Sequence, residues 1–205
     1  MDRLGFFLLF LLPCFCQSLS IGVKGGVRAT GDFNGSGASE SKRYAVGPAL
    51  EAKLPLRFAL EVDVLYSSFG LRSTDGFFGT VFHQSWRANS WEFPIVGKFR
   101  PAGPIYVEGG YVPRTLHGSA RFDSTTVDFA GNGTRQVIDQ KTDYQVSHGV
   151  LAGGGIDWPM GRLRLSPEVR YTRWLTDAFD REGSRGFFLR PSQNRAEFLV
   201  TMWWK

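Results

Sequence analysis

The stretch Arg57-Phe58-Ala59-Leu60-Glu61-Val62-Asp63-Val64-Leu65-Tyr66-Ser67 settles how the chain folds. Phe58, Leu60, Val62, Val64 and Tyr66 occupy every second position, opposed by Arg57, Glu61 and Asp63. A period of two sends alternate side chains to opposite faces of a strand, whereas a helix needs apolar residues three and four apart. Toward the N-terminus the period recurs twice. Ile21, Val23, Val27 and Ala29 oppose Lys24, Gly26 and Arg28, and Tyr44, Val46, Leu50 and Ala52 oppose Ala45, Gly47, Glu51 and Lys53. Toward the C-terminus, Trp91, Phe93, Ile95 and Phe99 oppose Glu92 and Lys98, and Ile105, Val107 and Tyr111 oppose Glu108 and Arg114. A glycine-rich run carries Val150, Ala152, Ile156 and Trp158 on one parity. Leu163, Leu165, Val169 and Tyr171 then oppose Arg164, Glu168 and Arg170, and Phe198, Val200, Met202 and Trp204 oppose Arg195 and Glu197. Together these make eight strands.

The connections alternate in length. Leu54-Pro55, 101–103 and 159–161 are turns of two or three residues rich in Pro and Gly, while 31–43, 69–85, 118–144 and 175–193 are long and polar. All short turns then lie at one end of an antiparallel barrel and all long connections at the other, the arrangement of outer-membrane barrels. The reading is all-β: an eight-stranded antiparallel up-and-down transmembrane β-barrel with both chain ends on the periplasmic side. A closed barrel satisfies its backbone groups in hydrocarbon. In lipid the apolar parity faces out, and the charged parity lines the lumen. There Lys24, Arg28, Glu51, Lys53, Glu61, Asp63, Glu92, Lys98, Glu108, Arg164, Glu168 and Arg170 bring both signs together. On the apolar parity, Phe58 and Tyr66, Trp91 and Phe99, and Leu163 and Tyr171 are each eight residues apart. That is about 20 Å of tilted strand, close to the ~25 Å apolar band between aromatic girdles.

The 205-residue chain carries 24 Lys and Arg against 19 Asp and Glu, a net charge of +5, with 42% hydrophobic and 21% charged residues. This balance excludes wholesale disorder. The 25 Gly and 10 Pro leave little room for long helices. The basic residues are scattered rather than run together, so nucleic acid is not an expected partner. Arg3 precedes an apolar run from Leu4 to Leu12 that breaks at Pro13, too short to span a bilayer and the size of a secretory h-region. Residues 1–18 are expected to be a signal peptide, with Cys14 and Cys16, or Cys16 and Ser18, at the cleavage positions. The alternatives are an uncleaved anchor and a lipoprotein, the latter disfavoured because Pro13 or Phe15 precedes the cysteine. Residues 19–205 then form the barrel domain. That domain has no cysteine, hence no disulfide and no Cys/His metal framework.

The segments GVKGGVRATGDF (22–33), GPALEAKLPLRFALEVDVLYSSFG (47–70), SWEFPIVGKF (90–99), YVEGGYVPRTLHG (106–118), HGVLAGGGIDWPMGRLRLSPEVRYTRWLT (148–176) and NRAEFLVTMWW (194–204) cover nearly all of this domain. In them the chain resembles the outer-membrane-protein beta-barrel domain family, in particular its PorT-like group. The resemblance implies a bacterial outer-membrane location and partners in outer-membrane lipid, lipopolysaccharide and the barrel-assembly machinery. Such barrels usually end on an aromatic residue, whereas Lys205 follows Trp203 and Trp204 here. Pro48, Pro94, Pro113 and Pro167 lie inside the strands and remove ladder donors, so bulges are expected there.

Few constellations point to chemistry. His117-Gly118-Ser119 is similar to the His-x-Ser pair of outer-membrane lipid A deacylases. The Asn that follows Ser in those enzymes is Ala120 here, and only Asp123 and Asp128, placed in the loop, lie nearby; a strand end is the expectation. Glu61 and Asp63 share one face with Lys24, Arg28, Lys98 and Arg170, which reads as a salt-bridge lining rather than an acid–base pair. Gly153-Gly154-Gly155 lacks the Lys and helix of a phosphate loop and reads as close packing. Asn34-Gly35-Ser36 and Asn132-Gly133-Thr134 match sequons but are first turn signals. His83 and His148 have no partner at metal spacing. No catalytic, cofactor or metal residue is assigned, and no cofactor is expected. The expected role is structural, adhesive or surface-binding, not enzymatic, and not that of a general-diffusion porin, because side chains fill an eight-stranded lumen. The alternatives are a barrel-borne lipid A-modifying hydrolase and a secreted soluble barrel binding a small ligand.

Overall fold

In the computed structural model, which describes residues 18–30, 33–34, 38–77, 80–127, 133–176 and 190–204, the alternating runs join edge to edge into one closed sheet. Strand β1 is Ser18–Arg28 and β2 is Ala38–Lys53. Strand β3 runs as Phe58–Asp63 and continues past Val64 as Leu65–Phe77. Strand β4 runs as Thr80–Glu92 and, past Phe93 and Pro94, as Ile95–Phe99. Strand β5 is Ile105–Val127, β6 is Gly133–Ile156 with an extension Trp158–Met160, β7 is Leu163–Trp174 and β8 is Asn194–Trp204. Each strand is antiparallel to its sequence neighbour. Ile21 of β1 lies opposite both Leu50 of β2 and Trp204 of β8, which closes an eight-stranded up-and-down barrel. No described residue is helical.

The charged parity points inward, as the alternation requires. Lys24, Glu51, Glu61, Asp63, Lys98, Glu108, Glu168 and Arg170 are all buried, while Ile21, Val23, Phe58, Val62, Trp91, Ile95, Val107, Val169 and Phe198 are exposed. Apolar side chains do enter the lumen: Trp203, Tyr106, Leu65 and Leu199 are fully buried, and Val96, Val112, Leu151 and Trp174 form a small cluster against one wall. The glycines of β6 make room for them. A Cβ on Gly155 would lie 2.5 Å from the Tyr106 hydroxyl, and one on Gly153 would lie 2.8 Å from Glu108 Oε1. The Gly153–Gly155 run is therefore close packing in a strand, as expected.

Several expectations need correction. Much of the polar stretches 69–85 and 118–144 is strand rather than loop: β3 and β4 stay paired out to Phe77 and Thr80, and β5 and β6 out to Val127 and Gly133. Only the lipid-facing portion of a strand must alternate apolar with polar. Beyond it the period-two signal fades while the backbone ladder continues. His117 is accordingly no strand end; it lies in mid-β5 at a register shift between Leu116 and Gly118. Asp123 is likewise paired in β5, whereas Asp128 lies outside the described residues. The prolines do not mark bulges. The carbonyls of Pro48, Pro94 and Pro113 accept from Val64, Asp63 and Phe93, where β3 and β4 break, and Pro167 lies beside the interruption in β6 at Asp157. The third short turn is Gly161-Arg162, with Pro159 inside the strand extension, and the first is carried by Leu56 and Arg57, both at positive φ (60° and 67°). Residues 1–17, most of 177–193 and Asn132 lie outside the described residues, as do the side chains of Asn34, His83 and Ser119.

Candidate functional site: the charged lumen

The lumen carries three tiers of ion pairs. The central tier is built on Lys24 of β1, whose Nζ lies 2.6 Å from Glu61 Oε1, 3.0 Å from Asp63 Oδ2 and 2.8 Å from Glu168 Oε1. Lys98 of β4 lies 2.6 Å from Glu61 Oε2, and 3.5 and 3.7 Å from Glu168 Oε2 and Glu108 Oε2. Arg170 of β7 places Nη1 3.2 Å from Asp63, Nε 3.1 Å from Glu108 and Nη2 3.0 Å from Glu168. The Tyr106 hydroxyl donates to Glu168 Oε2 at 2.8 Å, and Lys98 Nζ sits 4.3 Å above the Tyr106 ring. Five strands thus converge on one buried cluster, because the period of two brings one inward side chain per strand to each level.

Toward the short turns, Glu51 accepts from Arg100 and Arg164, each at 2.8 Å. Asp157 accepts from Arg100 Nε at 2.8 Å and from the Ser166 hydroxyl at 2.6 Å. Burial alone would raise the Asp157 carboxyl. The Ser166 hydrogen bond and the charges of Arg164 and Arg100 outweigh it and hold the group below the usual carboxylate range. Trp203 donates its indole N–H to Ser166 at 3.1 Å, and Arg164 lies 5.0 Å from its ring. Toward the long hairpins, Arg195 binds Glu92 through both terminal nitrogens and approaches Glu197 at 3.2 Å through Nε. Arg114 stacks 3.7 Å over Trp174 and donates to Ser147.

Among the described residues, seven cations (Lys24, Arg28, Lys98, Arg114, Arg164, Arg170, Arg195) and seven anions (Glu51, Glu61, Asp63, Glu92, Glu108, Glu168, Glu197) are buried in the lumen. The interior is charge-balanced and filled. The oxygens of Glu61, Glu108 and Glu168 come within 4.8 Å of one another, a grouping that could hold a cation. The Lys98 ammonium already lies among them and supplies the countercharge. Sequence reasoning placed Glu61, Asp63, Lys24, Lys98 and Arg170 together, and the structure brings them together. Arg28 instead joins the tier near the long hairpins, 3.8 Å from Glu197. Asp157 and Tyr106 were missed. Asp157 sits at a strand interruption, and Tyr106 was hidden because aromatics were read as outward-facing.

On the outer surface the aromatic spacing resolves into two cross-strand pairs. Phe58 meets Phe99 at 4.9 Å near the short turns, and Tyr66 meets Trp91 at 5.2 Å at the other end of the same strand pair. His148 bonds the Tyr111 hydroxyl through Nδ1 at 2.5 Å and stacks on its ring. His117 is exposed on β5.

No family model matches this chain, and no curated protein does. Among solved structures it is similar to Neisserial surface protein A, at 12% identity over 91% of this chain and 96% of that one, with a TM-score of 0.40. It is also similar to Ail, the attachment invasion locus protein of Yersinia pestis, at 11% identity over 91% and 95% of the two chains, with a TM-score of 0.41. The barrel assignment stands on the strand pairing of the chain itself.

Proposed function

We propose that the chain is a small integral outer-membrane β-barrel of a bacterial cell envelope, with a structural, adhesive or surface-binding role. One observation carries the reading: the molecule is inside out for water, with balanced ions within and a continuous apolar exterior. A soluble ligand-binding barrel needs an apolar or open lumen, and this one is filled with ion pairs. The filled lumen also argues against bulk diffusion. The motif segments quoted above support a place in the outer-membrane-protein beta-barrel domain family and its PorT-like group. On this reading the short turns are periplasmic, residues 1–18 are removed on export, and insertion uses the barrel-assembly machinery.

The surface role is supported by the long hairpins. Beyond the barrel wall, the outer parts of β2 to β6 form a raised sheet, from Ala38 opposite Ser73 to Val127 opposite Gly133. In this sheet residues 133–145 of β6 pair only with β5 among the described residues, since the ladder to β7 begins at Gly149 opposite Trp174. Fractionation of membranes together with heat-modifiable gel mobility tests the location and fold. A protein that gives a monodisperse, cooperative β-spectrum in plain buffer without amphiphile would defeat the reading.

A further inference from the structure

We infer that the short-turn end of the barrel binds anionic phospholipid headgroups through Arg57 and Arg162, a proposal that rests on the membrane reading above. With the lumen balanced, the net charge of +5 must lie outside it, and it is distributed unevenly. The long connections 31–43, 69–88, 117–145 and 173–193 contain 11 basic and 10 acidic residues, nearly neutral. The short-turn segments 53–57, 100–104 and 157–162 contain Lys53, Arg57, Arg100 and Arg162 against a single acid, Asp157. Asp157 is already engaged by Arg100, Arg164 and Ser166, so the acid does not neutralise the rim.

Position identifies the partner. The exposed basic residues of the first and third turns, Arg57 and Arg162, each stand within two residues of an exposed apolar side chain, whereas Arg100 of the second turn is taken up by Glu51 and Asp157. Arg57 adjoins Leu56, 83% exposed, and Phe58; Arg162 follows Met160 and Trp158, the latter 65% exposed. Basic groups that ring the edge of an apolar band sit at headgroup depth. There a Lys or Arg attracts an anionic lipid surface, and its aliphatic stem extends the apolar face. A soluble polyanion would match the charge but would not account for the apolar side chains interleaved with it.

The first turn adds an independent observation. Leu56 and Arg57 both adopt the left-handed conformation that Gly or Asn takes without strain. The arrangement is held by Arg57 Nη1 donating to the Pro101 carbonyl at 2.6 Å and by Arg100 N–H donating to the Arg57 carbonyl at 3.0 Å. Strain retained with an apolar and a basic side chain at the tip ties two neighbouring turns into one basic edge.

The test uses the full barrel in phosphatidylcholine vesicles containing brominated phosphatidylglycerol or brominated phosphatidylcholine. Tryptophan quenching is read, and the part lost in Trp158→Phe reports the short-turn end. The expected result is a preference for phosphatidylglycerol of roughly tenfold at low salt. Replacing Arg57 and Arg162 together by Gln should reduce it to less than about twofold, since the attraction scales with basic residues near the surface. Arg57→Lys, which keeps the charge but not the guanidinium bond to Pro101, should retain the preference, and so should Arg43→Gln with Arg173→Gln at the other end. An undiminished preference in the double variant, or its loss in the variant at the other end, overturns the proposal. Failure of the wild type to insert into either vesicle overturns the membrane reading itself.

Discussion

Lys24 holds three carboxylates on one ammonium, and removing it is the sharpest test of the lumen's design. Lys24→Met would keep the volume of the side chain but leave Glu61, Asp63 and Glu168 facing one another in a buried site. Breaking a buried ion network from one side costs about 3–5 kcal/mol, far more than the net worth of the pair. The expected outcome is a large fall in the urea midpoint of the vesicle-folded protein, with a smaller fall when Lys24 and Asp63 are removed together. A loss in the double variant equal to the sum of the two single losses would show that the charges are independent. Asp157 gives the lumen a pH dependence at its short-turn end. Its folded pKa lies below the unfolded value of 3.8, so its contribution is present above about pH 4 and is lost as pH falls through the folded value. The urea midpoint should therefore drop more steeply below pH 4 in the wild type than in Asp157→Asn. Parallel pH curves for the two proteins would refute this role.

At the scale of the element, β3 shows why the fold was legible and where legibility ended. Its first half lies in the apolar band, so Phe58 to Tyr66 had to alternate, and the sequence showed it. Its second half, through Phe77, is held by backbone pairing to β4 with no lipid to impose a pattern, so a composition rich in Ser, Asp and Gly read as loop. The candidate site was legible to the same extent: the charged parity of β1, β3, β4 and β7 announced an ionic lumen. Which tier each residue joins depends on strand tilt and register, which no single strand encodes. The strain at Leu56 was equally invisible, because nothing in Leu-Arg signals positive φ. Leu56→Asn, compatible with the left-handed conformation, should raise the urea midpoint by an amount equivalent to up to about 1 kcal/mol; destabilisation would show that the apolar tip outweighs the strain. Val62 is exposed at mid-strand between the Phe58–Phe99 and Tyr66–Trp91 pairs. Val62→Arg should cost about 2–4 kcal/mol at the bilayer midplane and impair insertion more than Asp63→Asn, whose lost charge the surrounding cations can redistribute. Equal insertion yields would show that Val62 does not meet the centre of a bilayer.

For the whole molecule, the two ends differ in construction as well as charge. At one end three connections of a few residues, tied to each other through Arg57 and Arg100, offer little chain to an outside agent. At the other, β5 and β6 rise together far past the last residues that β7 shares with β6 among the described residues. A barrel inserted with its short turns in the periplasm presents only the second end to the cell exterior. Protease added to intact cells should therefore cut within 118–144 at the 128–132 connection that joins β5 to β6, and leave 101–104 untouched. The barrel staves should survive as a folded core, since loops are the preferred sites of nicking and a closed ladder resists it. Breaching the outer membrane should add little cleavage at the short turns, because turns this short and mutually bonded rarely reach the extended conformation a protease needs. The cut from outside is thus the informative half of the experiment. If cleavage within 118–144 appears only after the membrane is breached, the barrel is inserted the other way up, and the raised sheet would face the periplasm.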